Sequence, residues 1–134
     1  MRRKSHNYWP ECSSGATRAL LVAATLVSVS VTALATTHTL TTASYKITIE
    51  VRCPEGDVTC DNVKYIGVSR KSGKSITLTG KTVHTTGADG VTPSHFLGYE
   101  FKSGGTKYFV GENGELRITR GSKVLVHETG EWKY

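Results

Sequence analysis

The sequence predicts an all-β domain, a small antiparallel meander closed as a barrel or folded as a sandwich, behind an N-terminal signal peptide. Three observations carry this. Tyr45 to Val51 alternates apolar and polar side chains without a break. Turn signals then recur at short intervals, at Lys71–Lys74, Gly104-Gly105, Asn113-Gly114, Gly121-Ser122 and Thr129-Gly130. No stretch after residue 35 keeps a 3.6-residue period for the length of a helix. Many short strands joined by small turns favour a closed or double-layered all-β fold.

Residues 1–35 read as a secretory leader. Arg2, Arg3, Lys4 and Arg18 precede Ala19–Ala35, a run with no charge that ends in Ala33-Leu34-Ala35. A basic start, an apolar centre and a small-x-small end are the parts of a cleavable signal. The competing reading is an uncleaved anchor. At seventeen residues the run is short for a membrane span of about 20, and it contains Thr25, Ser28, Ser30 and Thr32. Cleavage after Ala35 leaves one domain of 99 residues, placed in the periplasm or outside the cell. The leader carries away three of the chain's six net positive charges, so the domain keeps +3. That suits solubility and is too weak and too dispersed for a nucleic-acid binder.

Residues 36–44, rich in Thr, read as a flexible leader into the fold, and residues 45–134 as the single β domain. In Tyr45–Val51, Tyr45, Ile47, Ile49 and Val51 face one way and Lys46, Thr48 and Glu50 the other. Cys53 and Cys60 follow, spaced by Pro54-Glu-Gly-Asp-Val-Thr59. Pro and Gly favour a turn there. Two cysteines in an oxidising compartment form a disulfide, while Cys12 leaves with the leader. Val63–Ser69 is the second strand. Ser75–Val83 is the third, with Ile76 and Leu78 facing inward and Gly80 at a bulge. Thr85–Ser94 is a loop, equal in length to the cysteine loop if counted from Gly87 and sharing its acid, Gly and Val-Thr. Phe96–Lys102 and Lys107–Val110 are strands around Gly104-Gly105. Asn113-Gly114 is the strongest hairpin signal. Leu116 and Ile118, then Val124 and Val126, then Trp132 and Tyr134 continue the alternation to the end.

Sites of familiar chemistry are missing from the pattern. Gly67 to Ser75 has five residues between its glycines and runs into a strand, so it is no phosphate loop, and Arg70, Lys71 and Lys74 form a basic turn. His38, His84, His95 and His127 share no metal-ligand spacing, and Glu55, Asp57 and Asp61 lack a calcium-loop pattern. Ser94-His95 near Asp89 does not make a triad by adjacency, and no nucleophile elbow is present. The reading is therefore not an enzyme, with no cofactor, metal or nucleotide. In Lys107-Tyr108-Phe109-Val110 adjacent aromatics on a strand point to opposite faces, so one of Tyr108 and Phe109 is available to a binding partner.

From Tyr45 onward the chain resembles small exported, disulfide-stapled proteins of Gram-negative bacteria that have no assigned role. The resemblance rests on Tyr45-Lys-Ile-Thr-Ile-Glu-Val-Arg-Cys53, Cys60-Asp-Asn-Val63 and Phe96-Leu-Gly-Tyr-Glu-Phe101. It implies a compartment and an architecture, and cysteines in relatives where this chain has Gly87 and Ser94. A narrower similarity joins Lys102-Ser-Gly-Gly-Thr-Lys-Tyr108 to the Ser-Gly-x-x-Tyr loop of the MliC-type lysozyme inhibitors, which are small exported β-barrels. It implies an alternative function, inhibition of a glycosidase through Ser103, Lys107 and Tyr108. The cysteine pattern departs from theirs, and a +3 domain is repelled by a basic lysozyme. The leading expectation is a non-catalytic exported domain that binds a protein partner or an envelope component.

Overall fold

The computed structural model describes residues 35–134. The expected signal peptide, its cleavage or anchoring, and Cys12 lie outside the described residues. Nine antiparallel strands form one sheet: β1 Thr36–Thr41, β2 Tyr45–Val51, β3 Val63–Ser69, β4 Ser75–Thr86, β5 Pro93–Ser103, β6 Thr106–Gly111, β7 Glu115–Arg120, β8 Lys123–Thr129 and β9 Glu131–Lys133. Each strand from β1 to β7 pairs with the next, and β9 returns to pair with β1. The two outer members of the sheet, β8 and β9, are separated in the chain by Gly130 alone. One extended segment therefore pairs first with β7 and then with β1, which makes the sheet a nearly closed barrel. The meander takes the barrel form, and no second sheet packs on the first among the described residues.

Gly130 is where this change of partner occurs. Its N–H donates to the Gly114 carbonyl at 2.9 Å. On its other side the β1 backbone is so close that an added Cβ would lie 2.2 Å from the Thr41 carbonyl oxygen. Only glycine lets three stretches of backbone meet here.

The core is the inner row of each strand. Leu40, Ile47, Ile49, Val63, Tyr65, Tyr99, Phe101, Val110, Leu116 and Ile118 are buried, with Leu78, Val126 and Trp132 packed against them. Alternation along the strands supplies this lining, broken in β8, and the outward rows are mainly polar.

Four expectations need correction. Residues 36–44 are not a flexible leader. Thr36–Thr41 is β1, paired along its whole length with β2, and Leu40 is completely buried. β-branched Thr suits a pleated strand, and a single Leu at the right parity anchors it. Gly80 is not a bulge. It pairs regularly with Val63 and Phe101, and the Phe101 ring covers the space its side chain would fill. The register shifts fall instead around His84. β4 and β5 also run further than expected, so their loop shrinks to residues 87–92. Finally, Val124 and Val126 do not share a face. A register shift between Ile118 and Thr119 leaves Leu125 without a cross-strand partner, and Val124 points to solvent.

An antiparallel meander sorts its turns by parity. Residues 42–44, 70–74, 104–105 and 121–122 gather at one end of the barrel. Loops 52–62, 87–92 and 112–114 gather at the other. The disulfide Cys53–Cys60, S–S 2.07 Å, lies at this second end. The Cys60 N–H donates to the Thr82 hydroxyl at 2.8 Å, and the Thr82 N–H donates to the Cys60 carbonyl at 2.8 Å. The staple thus ties the long β2–β3 loop to β4.

Candidate functional site

The two ends of the barrel differ sharply. At the disulfide end, His38, Phe96, Tyr99, Trp132 and Tyr134 crowd together, with ring centroids 5.0–6.5 Å apart in the contacting pairs. With Glu112 they leave a void of only about 30 Å³. Trp132 is pinned by donation of its ring N–H to the Gly111 carbonyl at 3.1 Å. His38 Nδ1 is buried there with no hydrogen-bond partner among the described residues, and burial holds the His38 pKa below the usual histidine value. This end is plugged.

The opposite end is open. A cavity of about 340 Å³ sits among Tyr45, Tyr65, Gly67, Ile76, Thr106, Tyr108, Ile118, Leu125 and Val126, with Lys74 and Arg120 at its edge. The strand parity explains each member. Tyr45 precedes Ile47 and Ile49 on the inner row of β2, Gly67 follows Tyr65 on β3, and Ile76 precedes Leu78 on β4. Tyr108 precedes Val110 on β6, and Arg120 follows Leu116 and Ile118 on β7. The β8 irregularity brings Leu125 to the same opening as Val126.

Three tyrosines converge on this mouth. The Tyr65 and Tyr108 rings are 5.7 Å apart, and Phe101 backs Tyr65 at 5.1 Å. The Tyr65 ring folds over Gly67, where an added Cβ would sit 2.5 Å from the Tyr65 hydroxyl. Among the described residues, none hydrogen-bonds the hydroxyls of Tyr45, Tyr65 or Tyr108. Burial, and then the neighbouring Tyr108 and Tyr45, push the Tyr65 phenol well above the usual tyrosine value. It therefore stays a neutral hydroxyl able to donate. Arg120 reaches across the rim and donates from Nε to the Thr106 hydroxyl at 3.2 Å. Among the described residues no acidic side chain lines the mouth.

The residues suggested by the inhibitor resemblance do not form one surface. Ser103 pairs with Thr106 across Gly104-Gly105 and is exposed at the tip. Lys107 lies on the outer face, its Nζ 3.2 Å from the Glu100 carboxylate that Lys102 also approaches at 3.6 Å. Tyr108 turns inward to the mouth. Phe109 takes the outer position beside Tyr108, with the Arg117 guanidinium 5.9 Å from its ring centroid.

Other candidates have local duties. The Asp89 carboxylate accepts from the N–H groups of Val91 and Thr92 and from the Thr92 hydroxyl, which together lower its pKa to about 2. It organises its own turn. His95 lies 3.6 Å from Glu112 instead. An outer hollow of about 280 Å³ is lined by Asp61, Thr79, Gly80, Lys81, Glu100 and Lys102, both signs of charge and no apolar side chain. Among the described residues no three His, Cys, Asp or Glu side chains gather as metal ligands would.

Tyr45, Tyr65, Ile76, Leu125, Lys74 and Arg120 were not singled out by sequence reasoning as site residues. The available signal was an inner-row position next to one of the turns at residues 42–44, 70–74, 104–105 and 121–122, where Arg120 is a cation paired with Lys123. No family model matches the chain, and no curated protein or solved structure matches it.

Proposed function

We propose that the chain is an exported, non-catalytic β-barrel domain, periplasmic or secreted, that binds its partner in the open mouth of the barrel. The observation that carries this is the contrast between the barrel's ends: one filled by packed aromatic rings, the other an aromatic-lined cavity of about 340 Å³. Ligand sites are concave and mostly apolar, with a few convergent polar groups, and begin at roughly 300 Å³. Export is supported by the Cys53–Cys60 bridge. It is also compatible with the position of β1, because a cut after Ala35 leaves every described strand whole.

The glycosidase-inhibitor alternative draws less support. Lys107 is engaged by Glu100, and Tyr108 faces away from it. Weak inhibition of a lysozyme, lost in Ser103→Ala and Lys107→Ala, would favour that alternative over the mouth.

Two measurements test the proposal. The mass of the protein recovered from cell fractions, with and without reduction, should show loss of the leader and an oxidised cysteine pair. The neutral fluorophore 1-aminoanthracene should bind one per chain with enhanced emission. Ile76→Trp, which fills the mouth from its rim, should abolish that signal without unfolding the domain. Equal binding by wild type and Ile76→Trp would reject the mouth.

A further inference from the structure

From the charges at this opening we infer that the mouth is a site for a small amphipathic anion, an aryl or short acyl carboxylate, whose apolar body lies on the tyrosines and whose carboxylate meets Lys74 and Arg120. The inference rests on the proposed mouth site and adds the ligand's chemical class.

Size sets the first limit. A cavity of about 340 Å³ lies at the small end of ligand sites. One fused aromatic ring system or a short acyl chain fits. A full lipid does not. Lining sets the second. Tyr45, Tyr65, Tyr108, Ile76, Ile118, Leu125 and Val126 supply ring faces and branched aliphatic surface, and rings prefer offset or tilted contact with another ring.

Charge sets the third. Lys74 and Arg120 are the charged residues of the lining, and both are cationic. Arg120 ends the row of β7 that carries Leu116 and Ile118 and is exposed at the rim of the mouth, paired across the ladder with Lys123, a second cation. Among the described residues its side-chain contact is the neutral Thr106 hydroxyl, and no carboxylate lies within ion-pair distance of Arg120 or Lys74. Glu128, an acid on the strand that overhangs the opening, is occupied by the Ser44 N–H and hydroxyl at 3.1 and 2.5 Å. A second hollow shares Tyr45 and Ser69 with the mouth and adds Arg70 and Lys71, again without an acid. A rim guanidinium with donors to spare, beside unpartnered phenol hydroxyls, is a receptor for a carboxylate. A cation would meet like charge from both Lys74 and Arg120, and a neutral ligand would gain nothing from either.

Calorimetry on the folded protein with three ligands of one shape tests this: 2-naphthoate, its methyl ester and 2-naphthylmethylammonium. The expected order is naphthoate about tenfold or more tighter than the ester, as charge-assisted bonds imply, with no binding of the ammonium. The double variant Lys74→Ala, Arg120→Ala should bind naphthoate and ester equally, with the ester's affinity unchanged. Lys74→Ala alone removes an exposed side chain that supports no fold contact, and should narrow the preference even if the double variant is unstable. Equal affinity of naphthoate and ester in the wild type overturns the anion assignment while leaving the mouth in place. So does a preference for naphthoate that survives loss of both cations. Failure of all three ligands also overturns it, and if 1-aminoanthracene is then bound, the mouth reading stands. If that probe fails as well, both fall together.

Discussion

Replacing Gly130 by alanine should open the barrel. The added Cβ would lie 2.2 Å from the Thr41 carbonyl oxygen, 2.7 Å from its carbon and 2.9 Å from the Thr42 methyl. Comfortable carbon contacts begin near 3.5 Å, and two of these neighbours are backbone, so one strand must move by about an ångström. The β1–β9 ladder has three residue pairs to absorb the shift, Thr39–Lys133, Leu40–Trp132 and Thr41–Glu131. Overpacking a tight site costs about 1–3 kcal/mol. Loosening the Trp132 ring N–H bond to Gly111 adds about 1 kcal/mol. A total of about 2–4 kcal/mol corresponds to a fall in Tm on the order of 10–20 °C for a domain this size. Gly105→Ala is the control, since a Cβ there meets nothing within 4 Å and should change stability by under about 0.5 kcal/mol. Urea unfolding followed by circular dichroism measures both. If Gly130→Ala unfolds at the same urea concentration as Gly105→Ala, the closure at β9 is wrong.

Other outcomes follow from the same geometry. Leu40→Ala should cost about 2–5 kcal/mol in the same urea assay, as for a buried leucine in a core, whereas a loss under about 0.5 kcal/mol would return Thr36–Thr41 to the role of a leader. Reducing Cys53–Cys60, or replacing both cysteines by serine, should lower stability by about 2.5 kcal/mol from loop entropy, and unchanged unfolding in reductant would show that the bridge does not constrain the chain. The Glu128 pKa is held below its ordinary 4.5 chiefly by the Ser44 hydroxyl. A carboxylate depressed by folding stabilises above its unfolded pKa and loses that contribution as pH falls through the folded value. The advantage of wild type over Glu128→Gln should therefore be full above about pH 4.5 and shrink in more acid solution, and a constant difference would refute the pairing with Ser44.

Much of this fold was legible because period-2 alternation is a local signal. Ile47, Ile49, Leu116 and Ile118 declare their faces without knowledge of any partner. The disulfide was legible for a similar reason, since a loop of Pro54 to Thr59 is short enough to close on itself. What stayed hidden depended on distant strands. β1 has one core residue, and Leu40 becomes an anchor only because Ile47 and Trp132 lie across from it. The hairpin at Asn113-Gly114 is a loop of residues 112–114 with positive φ at Gly114 and none at Asn113, and the Gly130 carbonyl lies where a Gly114 side chain would be. The bulge at Leu125 leaves no mark on composition, so the alternation through Val124 misled. The candidate site was the least visible part. Ser103, Lys107 and Tyr108 are neighbours in the chain, yet strand parity sends Lys107 and Tyr108 to opposite faces. The mouth instead collects residues from six strands, and each looked like ordinary core or a solvated turn until the barrel brought them together.

The most direct test of the open mouth as the binding site is an amide NMR titration of the folded protein with 2-naphthoate. Saturable shifts should concentrate at Gly67, Ser75, Thr106, Tyr108, Arg120 and Leu125, with Cys60, Gly87 and Glu112 at the plugged end unmoved. Shifts confined to the plugged end, or spread along the outer face around Lys102 and Lys107, would contradict it.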